Sequence, residues 1–212
     1  GELPGFGQAM DGVVANQVDA AFASTISGNA YKIASSPRGV QYPTVPHGDK
    51  AGWARLNKTA PFFIPFMGTE GADMSKEKPV EAATYPYPVL MSYDSAPADL
   101  AYNMTRAMVE LFNDYKDGAP GNNGWALDRQ RFDWVVPFHD GAIRYFKEIG
   151  KWSDALQKHN DGLVKRQQVL AAAWAETTKS APADEAAFAK AWMKNRADAL
   201  TKAGMEPVLT EW

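Results

Sequence analysis

Apolar positions in the middle of the chain change their period within a few residues. Residues 87–93 form an aromatic, β-branched and apolar run behind Pro86 and Pro88, which predicts a short buried strand. Farther on, Leu100, Met104, Ala107, Met108, Leu111, Phe112 and Tyr115 recur at helical spacing and predict a helix that buries one face against a sheet. Asp94 or Ser95 stands where an N-cap belongs, with Pro97 in the first turn. A strand feeding a helix is half of a βαβ unit, so the expected fold class is α/β.

Toward the N-terminus the same reading gives a short helix over 8–15, a turn at Asn16 and Gln17, and a buried strand over 18–23. A helix follows to Ser35, capped by Ser24, Thr25 or Ser27. A helix start directly behind a strand is a natural anion site, although these hydroxyls equally serve as plain caps. Residues 36–81 are rich in Pro and Gly. They read as a turn at 36–39, an edge strand over 40–45 interrupted by Pro43, and a helical turn or two over 49–56. An extended apolar run over 61–67 and a polar loop over 68–79 complete the stretch, which has the character of a ligand-cleft rim.

Toward the C-terminus, 117–124 is a loop, 125–134 a short helix and 135–137 an extended exit. Ile143, Phe146 and Ile149 share one face of a helix that Gly150 stops. His139, just ahead of it, reads as a cap or packing residue more readily than as a ligand, because no second His or nucleophile stands at useful spacing. Ser153 caps a long helix to about Lys179, residues 180–184 break it, and a second helix runs to Ala203. Together these form an αα-hairpin whose seams mix Leu and aromatic residues with Asn160, Gln167 and Asn195. Trp174, Trp192 and Trp212 bring large apolar area that the main body or another chain must cover.

Composition narrows the classes. The chain has 212 residues, 45% hydrophobic and 22% charged, enough for one large domain or two small ones with a real core. Its net charge of -3, with no basic run carrying interleaved aromatics, argues against a dedicated nucleic-acid binder. No window approaches the roughly 18 apolar residues of a membrane span. The lack of cysteine removes thiol catalysis, thiolate metal sites and disulfides, and is compatible with a periplasmic setting. An opening at Gly1 without an initiator Met reads as a processed chain or a piece of a longer one.

Catalytic chemistry is hard to assemble from these residues. Gly-rich phosphate loops, nucleophile elbows and His-Glu-x-x-His are missing, and His47, His139 and His159 lie far apart in sequence. Lys32, Arg38, Lys50, Arg55 and Lys58 outnumber Asp49 locally, which suits either a carboxylate or phosphate ligand or a solvated face. The pattern fits a binding protein better than an enzyme, and neither a cofactor nor a metal is expected.

Three stretches carry a family resemblance. Gly12-x-x-x-x-Gln-Val-Asp-Ala-Ala-Phe22 is similar to a helix-to-strand segment of type II periplasmic solute receptors. Tyr87-Pro-Val-Leu-Met with Ala98-Asp-Leu-Ala-Tyr resembles the return strand and helix of one group among them. Val136-Pro-Phe-His-Asp-Gly-Ala-Ile-Arg-Tyr-Phe-Lys-Glu-Ile-Gly150 resembles that group's most specific signature. The group is the TAXI receptors, the extracytoplasmic solute-binding subunits of TRAP transporters. The resemblance covers about residues 5–152 and implies a periplasmic-binding-protein type II-like, two-lobed α/β receptor. Such a receptor closes over a small carboxylate, such as glutamate or 2-oxoglutarate, and hands it to membrane permease subunits.

On that pattern residues 1–85 are the end of the second lobe, 86–152 the returning part of the first, and 153–212 an added helical hairpin. The family's N-terminal portion has no counterpart in this sequence, and Glu70 stands where its Gly-Thr-Tyr has Tyr. Residues 18–23 and 86–92 are then crossover strands. Ser24, Thr25 and Ser27 face the cleft and donate to an anionic ligand, Arg38 offers a carboxylate fork, and Tyr85 or Tyr87 closes a wall. The rival expectation is a receptor-derived structural or interaction subunit of a larger assembly, motivated by the surplus hairpin.

Overall fold

The structure, a computed structural model, describes residues 3–180 and 182–209. It divides into two compact units. Unit 1 comprises Gly1–Trp53, Phe63–Tyr85 and Ala119–Gly121, and unit 2 comprises Ala54–Phe62, Pro86–Gly118 and Asn122–Trp212. Among the described residues the fold is helix-rich, with one two-stranded sheet.

In unit 1, α1 (Phe6–Val14) and α2 (Gly28–Ala34) pack together around Met10, Ala30 and Ile33. Asn16, one of the residue types that tolerates the left-handed region, turns the chain out of α1 at φ 60°. α3 (Lys50–Thr59), of which only the first turn, to Trp53, belongs to unit 1, starts where Asp49 Oδ1 accepts from Gly52 N, and it buries Trp53, whose Nε1 donates to Pro46 O. β1 (Ile64–Gly68) and β2 (Val80–Thr84) pair antiparallel, Ile64 opposite Thr84 and Gly68 opposite Val80. Val45 N donates to Glu81 O, but residues 40–45 form no strand, because Pro43 and Pro46 remove the donors a ladder needs.

Unit 2 is built on two helices that pack face to face, α4 (Ala98–Glu110) and α6 (Asp140–Glu148). A short α5 (Phe112–Tyr115) continues the first of them. α6 buries Ala142, Ile143, Tyr145 and Phe146 beside Trp152. Phe132 and Phe138 close this core edge-on, their rings 4.8 Å and 5.8 Å from that of Phe146. α4 approaches so closely that a Cβ on Gly141 would lie 2.1 Å from Ala98 O, which only a glycine permits. Tyr102 Oη donates to Glu148 Oε2 at 2.6 Å, and Arg144 pairs with Asp99 while lying over the Tyr102 ring.

α7 (Asp154–Lys179) and α8 (Glu185–Lys202) form the hairpin, capped by Ser153 and Asp184. Ala173, Met193 and Leu200 lie in its seam, and the Trp174 and Trp192 rings meet edge to face at 5.0 Å. The buried hydroxyl of Thr177 donates to Ala173 O and accepts from Asn195 Nδ2. At the other end of α7, Asn160 Oδ1 accepts from Phe138 N and His159 Nε2 donates to Trp134 O. These two neighbours supply partners for the irregular stretch 134–138, which bends at 134–136 where an extended exit over 135–137 is expected and has no strand beside it among the described residues. Trp212, and Ala181 within the break, lie outside the described residues.

Besides the strand expected over 40–45 and the extended exit over 135–137, four expectations are corrected. Residues 18–23 and 87–93 form no strand and belong to no sheet, with Phe22 73% and Met91 76% exposed. A lone extended segment gains nothing from apolar side chains until another strand pairs with it. In 87–93, Pro88 also withholds a donor. The helical stretch over 125–134 resolves into 3-10 turns at Asn122–Trp125 and Leu127–Arg129. α4 does not lay its Leu100–Met104–Leu111 stripe on a sheet; those residues are half exposed, and the opposite face, with Tyr102 and Val109, meets α6 and its core.

Candidate functional site

Ser24, Thr25 and Ser27 lie on one turn of unit 1, where Ser27 N donates to Ser24 O. Their hydroxyls serve the chain itself. Ser27 Oγ accepts from Ala30 N as the N-cap of α2, and Thr25 Oγ1 donates to Glu70 O at 3.1 Å. The Thr25 carbonyl accepts from Ala72 N, and Tyr42 Oη donates to Ala72 O. Ala72 is fully buried, so this knot ties the turn at 24–27 to the loop after β1. Gly71, at φ +137°, is required there, because a Cβ would meet the Thr25 carbonyl at 2.7 Å. Burial, with Asp73 and Tyr31 adding to it, pushes the Tyr42 phenol up, so it remains a donor through the neutral range.

Arg38 is turned toward the end of α1, where Nη1 donates to Val13 O and Asn16 Oδ1. That capping role uses one of its nitrogens; Nε and Nη2 are its further donors. Tyr85 packs edge-on against Phe63 at 5.8 Å, and Tyr87, in unit 2, is 74% exposed. The structure therefore groups the three hydroxyl residues and places Arg38 and Tyr85 elsewhere in unit 1.

Sequence reading missed Glu81. Its backbone carbonyl accepts from Val45 N, its Oε1 accepts from His47 N at 2.7 Å, and His47 Nδ1 stands 3.7 Å from the same oxygen. His47 Nε2 donates to Ala82 O, and the Trp53 ring meets the imidazole edge-on. No local signal marks Glu81, since its partners lie 34 residues or more away in the chain. His139 is a cap: Nδ1 accepts from Gly141 N and Nε2 donates to Ala96 O.

An open depression of about 400 Å3 in unit 2 is lined by Asp140, Ile143, Arg144, Lys147 and Gln157. It holds none of the six residues expected to touch ligand, and Arg144 is already committed to Asp99. Among the described residues no group of three or more His, Asp or Glu is placed to hold a metal ion, and no helix is long and apolar enough to cross a membrane.

The family model for NMT1-like proteins matches residues 3–150. The chain belongs to the NMT1-like family. This is a periplasmic-binding-protein-like family, and membership points to a solute-binding receptor. The NMT1-like portion ends at Gly150, which closes α6 at φ +68°, so the α7–α8 hairpin lies wholly outside the matched residues. The Thr25–Gly71 knot, the Glu81 cluster and the α4–α6 pair all lie inside them. No curated protein and no solved structure matched the chain.

Proposed function

We propose that the chain is the extracytoplasmic solute receptor of a TRAP transporter of the TAXI type. It takes up a small carboxylate and delivers it to membrane permease subunits. It acts by binding, with no catalytic step and no cofactor. The observation that carries the reading is family membership over residues 3–150, joined to the signature at 136–150. The solute shifts an open–closed equilibrium by binding the closed form more tightly, and the permease reads that form.

Of the six candidate contacts, Arg38 suits a carboxylate best, because a guanidinium that already anchors one nitrogen still offers a planar fork. Thr25 spends its one proton on Glu70 O, so in this arrangement it offers ligand an acceptor only. Calorimetry with glutamate, 2-oxoglutarate and related carboxylates is expected to give binding that Arg38→Ala weakens about tenfold or more, the scale of a lost charged hydrogen bond. Absence of binding across the panel would overturn the carboxylate assignment, and unchanged affinity in the variant would remove Arg38 from the site.

A second reading is favoured by the hairpin, which lies beyond the family match and leaves Trp174 45% exposed. In it the chain is an interaction subunit of a larger assembly without transport duty. Native mass spectrometry of material from the source separates the two: a retained small anion supports the receptor, and a stable large complex without solute supports the subunit.

A further inference from the structure

We draw no further inference here: the strongest candidate, the exposed apolar stretch of Leu90, Met91 and Tyr93 that continues into the Leu100–Met104–Leu111 stripe of α4, is an open face of unit 2, and nothing in the structure shows what covers it.

Discussion

α4 and α6 pack on each other and are both amphipathic, yet α6 buries five residues and α4 none. Each follows a stretch without regular structure that contains proline, residues 86–93 before α4 and 134–138 before α6. The difference lies in what surrounds them. α6 has α4 on one side, Phe132 and Phe138 on another, and Trp152 and Leu156 beyond its end. Its entry stretch is held by His159 and Asn160 of α7. α4 packs chiefly on α6, with α5 at its end, and no described residue pairs its entry stretch into a sheet. Amphipathicity thus states how much a helix can bury, whereas neighbours decide how much it does.

The largest expected effect tests the buried side. Phe146 is 5% exposed and its ring contacts Phe132, Phe138 and Tyr145. Phe146→Ala should cost about 3–5 kcal/mol, from lost transfer energy plus the cavity left among rigid aromatic neighbours. Urea denaturation followed by Trp fluorescence measures it; a loss below about 1 kcal/mol would mean that this cluster is not the core of unit 2.

Next comes the close approach the two helices share. Gly141→Ala puts a methyl against the Ala98 carbonyl, the Tyr102 amide nitrogen and the Ala101 Cβ, two of them backbone atoms that cannot swing aside. The helices must separate, at about 1–3 kcal/mol by the usual cost of overpacking. The more telling readout is the Tyr102–Glu148 hydrogen bond, which a separation breaks. Near-ultraviolet circular dichroism of Gly141→Ala should show altered tyrosine bands, and wild-type spectra and stability would show that the methyl is accommodated without separating the helices.

The same hydrogen bond supplies a pH dependence. Bonding to the Glu148 carboxylate is the main cause that raises the Tyr102 phenol above its ordinary value near 10, with desolvation second. A phenol raised in the folded state stabilises the fold fully below its unfolded value. That contribution disappears as pH climbs through the folded value, so stability falls on the alkaline side above about pH 10. Tyr42, Tyr115 and Tyr145 are raised by burial and add to the same slope. Thermal melts from pH 8 to 11 should therefore fall less steeply for Tyr102→Phe than for the parent; parallel curves would remove the Glu148 bond as a contributor.

Much of this was legible in the sequence wherever the determinant is local. Ser153 and Gly150 mark ends that the structure places at the same residues, and His139 caps as its position ahead of α6 implies. Ser27, one of three candidate caps, is the one used. Legibility fails where the partner is distant. Whether 18–23 becomes a strand depends on a neighbour that no local pattern encodes, and β2, Val-Glu-Ala-Ala-Thr, has no run that announces it. Thr25 looks like a free hydroxyl until the chain returns 45 residues later and presents Glu70 O. The α4 stripe misled for a related reason. Leu100, Met104 and Leu111 are more apolar than Ala101, Tyr102 and Thr105, but close approach to Gly141 rewards small and aromatic residues over long ones.

The smallest expected effect completes the contrast. Leu100 is 54% exposed and Met104 44%, so truncating either removes side chain that water already reaches. Leu100→Ala should change the stability of the purified chain by no more than about 0.5 kcal/mol, since alanine's higher helix propensity offsets part of the packing that the shorter side chain gives up. The same urea titration that reads Phe146→Ala decides this. A loss of about 2 kcal/mol or more, the size reserved for buried side chains, would place Leu100 against a neighbour in the purified protein. It would also mean that α4, like α6, is covered on both sides, so that the asymmetry between the two helices belongs to the single chain and not to the molecule in solution.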